Sequence, residues 1–594
     1  MFLCNPEHAT VSSNQRAREE RTYPPFSSAW GNFLRREFNL PENKKKESAM
    51  HPLTATFLGG LEEVGMNCLL LSWQDNHLLI DCGLGFPDPS YYPGVEAAHP
   101  CFERLEHLEG EIVGIVVTHG HEDHIGAIPQ LLKYCDAPVY GPEFAMKLLG
   151  HRLHRHHLQT PIHTTQPDDI YPIGPFEVEW IPVAHSVPHS CCLSIRTPLH
   201  HIIHSGDFKF EMPPSPRSPN PLPRLGALGE EGVDLLFCES TNVSVPGFAG
   251  SESSLYSGFE DVFLRAKGRI FVVTFSSHID RLHLAIELAR EFGRKIVLLG
   301  ASLQRNVHAA RELGLLQLRA DDIIDLNDMH TISPRRLLIL ATGSQAEPFS
   351  AMTRIAMGNH KVSLQQEDSI IWSSRKIPGN ENAIGYIHDQ IVEQGARLYH
   401  SPQYPVHVSG HGFREEIQMM HQLTQPTHLV PIHGRQTFLH EHKLLATQSG
   451  FPAENIHLCQ NGDRLSLHKG EVTRLPSWEH RTVFMANNST HPLSEDAQRE
   501  RRQMSRYGLI VLSAQLNMQG QLSTPPQFSL MGVPVPKENA KDWGEMLQER
   551  FEESPMEYKL SKADIEETLR RLLGNHLRSA YRIKPRIEVL LHQT

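Results

Sequence analysis

The stretch VVTHGHEDHIGAIPQLL, Val116–Leu132, decides how the rest of the chain is read. Three histidines and two acids fall between His119 and His124, directly after an apolar run of strand length. Such a loop delivers imidazoles and carboxylates to the edge of a sheet, and both are good ligands for zinc or manganese. The HxHxDH spacing sets His119 and His121 on one side and Asp123 with His124 on the other, which suits two cations held close together. Two ions sharing a water lower its pKa and clamp an in-line displacement at phosphorus.

The surrounding chain bounds what that site serves. At 594 residues it is too long for one ordinary core, so several units are expected. An apolar fraction of 39% and a mean hydropathy of -0.35 describe a globular chain that folds in water. No apolar run approaches the roughly 18 residues of a membrane span, and the start lacks the pattern of a signal peptide, so a cytoplasmic protein with no membrane partner is expected. A net charge of -12 argues against nucleic-acid binding through overall charge, but leaves room for a local basic channel. The nine cysteines form no CxxC pair and read as buried free thiols, with Cys191 and Cys192 on opposite faces of one strand. With 38 histidines in the chain, most must be ordinary surface or core residues.

Residues 1–50 are polar and show no sustained period, so they read as a flexible extension. From residue 54, short apolar runs end in polar residues: HLLIDCG, IVGIVVT, FEVEWIPV, HHIIHSGD and VDLLFCEST. They predict a layered α/β domain with its site at strand termini, over 51–248. Between 249 and 400, GRIFVVTFSS, KIVLLG, LLILATGS and SIIWSS alternate with helical segments, which predicts a doubly wound parallel sheet. PVHVSGH and HLVPIHG, within 401–466, resume the style of the first part, so the chain leaves that domain and returns. Residues 467–485 read as a linker. Residues 486–594 read as a small α+β domain with a strand in RYGLIVLSAQL, a helix capped by Ser561 and Asp564, and a final strand in RIKPRIEVLLH. The proline-rich segment 211–232 reads as a surface loop.

Further ligands stand where apolar strands end: His185 in IPVAHSVPHS, Asp207 in HHIIHSGDFKFE and His433 in HLVPIHGRQ. By position His185 joins His119 and His121, Asp207 bridges, and Asp123, His124 and His433 hold a second ion. His189 and His204 read as decoys, each a neighbour of the ligands or a surface residue rather than a ligand. HRLHRHH, 151–157, has helical spacing and cation-repelling arginines, and reads as a solvated helix face.

HxHxDH, then a histidine, then the acid of SGD, then a late histidine resembles the metallo-β-lactamase superfamily, and the inserted doubly wound domain resembles its β-CASP nuclease branch. Within that branch GGLEEVGMNCLLL, DCGLGFPD, THGHEDHIGAIP, HSVPHS, IIHSGDFKF, STNVSVPGF, ATGSQAEP, KIPGNE, HVSGHG and PIHG are similar, in order and spacing, to the ribonuclease J family. The resemblance covers roughly 54–465, and the tail resembles that family's C-terminal domain. The fold it implies is an αββα sandwich with a β-CASP insertion and a small C-terminal α+β domain.

The resemblance implies a ribonuclease with 5′-to-3′ exonuclease and endonuclease activity in RNA maturation and decay. It implies two zinc ions, or manganese, and single-stranded RNA, preferably 5′-monophosphorylated, running between the domains. His411 is implied as proton donor at the leaving oxygen, Asp123 as the group that orients or deprotonates water, and Glu239 as the acid tuning the site where ribonuclease J sequences carry aspartate. His407, Ser409 and the backbone at Gly410, together with His411, are implied to grip phosphate. A homodimer or homotetramer, with RNA-decay partners, is implied too. Alternatives on the same scaffold are a small-molecule hydrolase, a non-catalytic partner subunit and a DNA-directed nuclease.

Overall fold

A computed structural model describes residues 51–214, 217–377, 379–486, 491–554 and 561–593. The expected extension at 1–50 lies outside the described residues.

Two sheets face each other. One has eight strands in the order Glu471–Leu475, Arg464–His468, Leu53–Gly59, Cys68–Trp73, Asn76–Ile80, Glu111–Val116, Val139–Pro142 and Ile162–Thr165. The other has six: Pro426–Ile432, Val233–Glu239, His201–His204, Cys191–Arg196, Phe176–Pro182 and Ile170–Ile173. Phe57, Leu71, Leu78, Trp180, Phe237 and Val430 fill the space between them. Helix Glu143–Arg155 covers the outer face of the first sheet, and helices Leu222–Glu231, Arg414–Thr424 and Gln436–Gln448 cover the second. The result is the expected αββα sandwich. Alternation along a buried strand explains the adjacent cysteines, because Cys191 packs between the sheets and Cys192 under the outer helices.

The insertion holds a fully parallel sheet in the order Lys295–Leu299, Leu337–Ala341, Ile270–Val273, Ser369–Trp372 and Arg397–His400. Helices bury apolar faces on both of its sides, as the βα alternation predicts. This insertion separates two neighbours of the second sheet, since Val233–Glu239 and Pro426–Ile432 pair in parallel with Glu239 opposite Ile432. The residues at their C-terminal ends are therefore brought side by side. At the C-terminus, strands Gln527–Met531, Leu509–Leu516 and Arg586–Gln593 form a small sheet under helices Trp543–Glu552 and Lys562–Tyr581. Ser561 and Asp564 cap the last helix reciprocally, at 3.3 and 2.9 Å.

Two expectations fail. The segment 211–232 is not all loop: prolines at its start pre-set a helix, Leu222–Glu231, and Leu225 with Leu228 anchor that helix in the core. Nor is 467–485 a linker. Lys469 and Gly470 turn with φ of 52° and 77°, fold Glu471–Leu475 back onto Arg464–His468 and extend the first sheet, while Thr482–Ala486 pairs with Val95–Pro100. Both strands are five residues long and neither contains a fully buried residue, so they carry no core pattern.

Candidate metal centre

The loop after strand Glu111–Val116 runs through His119 and His121 into a single helical turn, Glu122–Ile125, that presents Asp123 and His124. Close packing against Gly83 holds this turn in place: a Cβ at position 83 would lie 1.6 Å from the Asp123 carbonyl oxygen. His185 follows strand Phe176–Pro182, Asp207 follows His201–His204, and His433 follows Pro426–Ile432. All the ligand-type residues expected from sequence converge here.

His121 Nδ1 lies 3.1 Å from both His119 Nε2 and His185 Nε2, and those two nitrogens stand 3.6 and 3.7 Å from Asp207 Oδ2. On the other side, His124 Nε2 lies 3.3 Å from Asp207 Oδ2 and 3.8 Å from Asp123 Oδ2. His433 Nε2 lies 3.5 Å from Asp123 Oδ2, and its Nδ1 2.9 Å from Asp207 Oδ1. Asp207 thus stands between two groups of three donors. Tetrahedral zinc with bonds of about 2.0–2.1 Å spaces its ligand atoms by about 3.3 Å, close to the spacing here. Asp207 Oδ1, which stands 2.9 Å from His433 Nδ1, and His433 Nε2 are both buried and make no hydrogen bond of ordinary geometry. The donor set therefore fits divalent cations.

Electrostatics divide the cluster. Burial holds His119 and His185 well below the usual imidazole range and pulls His121 down to about 4, so three donors stay neutral as ligation requires. Burial also opposes charge on His124 and His433, but the carboxylates facing them, Asp207 foremost, outweigh it, and His433 rises to about 10. Converging carboxylates on this side demand positive charge.

Glu239 ends its strand fully buried. It accepts from the Phe208 amide at 2.8 Å and pairs with His411 Nδ1 at 2.7 Å. Burial opposes protonation of His411, but the Glu239 and Asp207 carboxylates win and hold its pKa above the ordinary value. With Nδ1 engaged, Nε2 is the nitrogen left to face a substrate. Gly410 contributes through its backbone: its carbonyl accepts from His185 Nδ1 at 2.7 Å, and a Cβ there would lie 2.8 Å from that of Ser186.

His407 and Ser409 are not at the cluster. The Ser409 hydroxyl is buried and already accepts from Asn242 Nδ2 at 2.9 Å and the His411 amide at 3.1 Å, which sets the turn before His411. His407 sits 3.3 Å from Arg281 Nη1 in a buried ionic network, with Nε2 lacking a partner. His204 is buried beside the site and accepts from the Gly206 amide at 3.1 Å, whereas helix Glu143–Arg155 leaves His151 and His154 exposed.

Sequence reasoning missed Asp81 and Arg375. Asp81 accepts from the Thr118 amide and hydroxyl at 2.8 Å each and pairs with His124 Nδ1 at 2.7 Å, fixing which nitrogen of His124 faces the cluster. Its signal was an acid ending the apolar run HLLID. Arg375 reaches from the insertion to Asn242 Oδ1 and places a cation near Glu239. Nothing local in SSRKIPG marks it.

Residues 62–253 match the model of the metallo-beta-lactamase superfamily, 267–391 that of the ribonuclease J beta-CASP domain, and 403–458 that of the Zn-dependent metallo-hydrolase RNA specificity domain. Ribonuclease J of Synechocystis sp. is 35% identical over 543 residues, 88% of this chain and 84% of that protein. The Helicobacter pylori enzyme is 32% identical over 83% of this chain and 72% of its own length, and that of Mycolicibacterium smegmatis 37% identical over 71% and 76%. A crystal structure of an Enterococcus faecalis protein of unknown function superposes with a TM-score of 0.50 at 18% identity, over 70% of this chain and all of that one.

Proposed function

Because this chain belongs to the ribonuclease J family and is a metal-dependent, RNA-binding ribonuclease, we propose that it hydrolyses phosphodiester bonds with two zinc ions, or manganese, acting both as a 5′-to-3′ exonuclease and as an endonuclease. The observation that carries this reading is the position of Asp207 between two three-donor groups, with the His411–Glu239 pair alongside.

His119, His121, His185 and Asp207 would hold one ion, and Asp123, His124, His433 and Asp207 the other. Bound there, divalent ions acidify water and neutralise charge on the scissile phosphate. Asp123 lies on the rim of the second group, placed to orient the attacking water and take its proton. As the phosphorus–O3′ bond breaks, His411 donates a proton from Nε2 to the leaving oxygen, and Glu239 keeps the imidazole oriented and charged. Arg375, His407, Ser409 and Gly410 line the approach from the insertion. Of these, Gly410, Ser409 and the buried His407 shape the crossing that carries His411, and Arg375 is the group offered to phosphate.

We assign 51–248, together with the chain from 401 through strand Glu471–Leu475, to the metallo-β-lactamase domain, 249–400 to the β-CASP domain and 486–594 to the C-terminal domain. Single-stranded RNA with a 5′-monophosphate, turned over in maturation and decay in the cytoplasm by a homodimer or homotetramer, completes the proposal. Among the described residues no helix is long and apolar enough to cross a membrane. Matched RNA and DNA oligonucleotides with 5′-monophosphate or 5′-triphosphate ends test it: monophosphorylated RNA should be shortened fastest with zinc or manganese present. Failure to shorten that substrate, or equal cleavage of DNA, would overturn the assignment.

A further inference from the structure

Behind the catalytic face a second set of donors meets in the interior. Side chains alternate along strand Val233–Glu239, so while Glu239 faces the catalytic cluster, Cys238 points to the outer helices and packs in their core. His421 stands on helix Arg414–Thr424 and His442 on helix Gln436–Gln448, and all three side chains are buried. One donor atom from each lies within 4.8 Å of the others. Among the described residues this is the one metal-capable group that contains a cysteine.

The two imidazoles are aimed at each other. Their Nε2 atoms are 2.9 Å apart and their rings nearly parallel at 18°. The Ser240 hydroxyl lies 2.9 Å from His442 Nδ1 and so fixes Nε2 as the nitrogen turned inward. His421 Nδ1 is buried with no partner. Burial pulls His421 down to about 4 and His442 well below the usual range, so both rings are in the neutral form that binds metals. An imidazole pair could share one N–H···N hydrogen bond, but that does not account for the thiol whose donor atom stands within 4.8 Å of the pair. Thiolate with two imidazoles is a soft donor set that favours Zn2+ or Cu(I) over harder cations.

We propose that Cys238, His421 and His442 bind a thiophilic cation, Zn2+ or Cu(I), at a site separate from the catalytic cluster. On loading, the Cys238 thiol releases its proton to solvent as the metal–sulfur bond forms, with no change of oxidation state. Bringing the donors to zinc-like spacing of about 3.5 Å takes roughly 1 Å of side-chain closure. The ion would tie the strand that ends in Glu239 to the helices that begin just after His411 and His433. It would brace three elements that carry catalytic-face residues without touching substrate.

X-ray absorption on the full chain tests this, loaded in one arm with Zn2+ and in the other with Cu(I). The catalytic cluster offers only nitrogen and oxygen donors, so a metal–sulfur path at about 2.3 Å must come from cysteine. The expected result is such a path in at least one arm, lost together with one metal equivalent in Cys238→Ser, and the same loss of one equivalent in His421→Gln. If Cys238→Ser folds poorly, loss of the path in His421→Gln, which keeps every cysteine, assigns it to this site, and persistence of the path there overturns the proposal. Absence of a metal–sulfur path in both arms, or its persistence in folded Cys238→Ser, would overturn the proposal.

Discussion

Arg281→Met should loosen the insertion from the domain that carries the metal cluster. Arg281 is fully buried on helix Ile279–Glu291, and its Nε and Nη2 each donate to a Glu252 carboxylate oxygen at 2.9 Å. Its Nη1 donates to the Ser373 hydroxyl and, at 3.4 Å, to the Val406 carbonyl. One guanidinium thus joins the outgoing crossing, the insertion's sheet and the returning crossing beside His407. Methionine keeps the length and apolar stem but strands a buried carboxylate, a loss of about 3–5 kcal/mol. Lys209 Nζ at 3.5 Å and His278 Nε2 at 3.3 Å stay close to Glu252, so the lower end, about 3 kcal/mol, is expected. For a unit of 150–250 residues that is a fall of roughly 6–12 °C in Tm, read by scanning calorimetry near neutral pH. Burial resists ionisation of Glu252, but Arg281 and then His278 outweigh it and hold its pKa well below the usual carboxylate range. A depressed carboxylate stabilises the fold above its unfolded value, 4.5, and that stability is lost as pH falls through the folded value. In the variant Glu252 protonates at higher pH, so the gap in Tm between the two proteins should narrow on acidification below about 4.5. Adding Glu252→Gln should recover part of the loss. A fall under about 2 °C, or a gap that widens in acid, would refute this account of the network.

His119→Ala and Asp207→Ala should each lose metal and cleavage together, checked by metal analysis beside oligonucleotide digestion; retained metal with lost activity would count against their ligand role. His411→Ala should keep its metal content and lower kcat by about 10²–10⁴-fold, the range for a removed general acid. If metal analysis shows a full equivalent lost, the division of roles between His411 and the ligands is wrong. Asp81→Asn should leave the fold intact but weaken metal affinity about 10–100-fold, seen in chelator competition, because His124 loses the carboxylate that orients it. Gly83→Ala drives a Cβ into the Asp123 carbonyl at 1.6 Å and should yield insoluble or metal-poor protein, whereas wild-type metal content would show that the ligand turn relaxes freely.

Much of the fold and the cluster was legible because each ligand-type residue follows its own apolar strand, so local pattern marks it before any partner is known. Asp81 escaped because an acid after an apolar run also reads as a turn former; its work depends on Thr118 and His124 in a neighbouring loop. Arg281 escaped for a similar reason, since on its helix it looks like a surface charge, and only Glu252, 29 positions earlier, explains its burial. Helix Glu495–Tyr507 buries no residue, so it has no apolar stripe to betray it beyond the Ser494 cap and first-turn acids. Ser409 has a part that the sequence does not show: beyond the phosphate contact that a hydroxyl in a glycine-flanked motif suggests, its oxygen accepts from Asn242 and the His411 amide and so sets the turn before His411. The deepest cause lies in the topology. Glu239 and His433 end adjacent parallel strands of one sheet, and the insertion enters between those strands. Residues of the candidate site therefore come from chain on both sides of the insertion, so no local stretch of sequence displays them together.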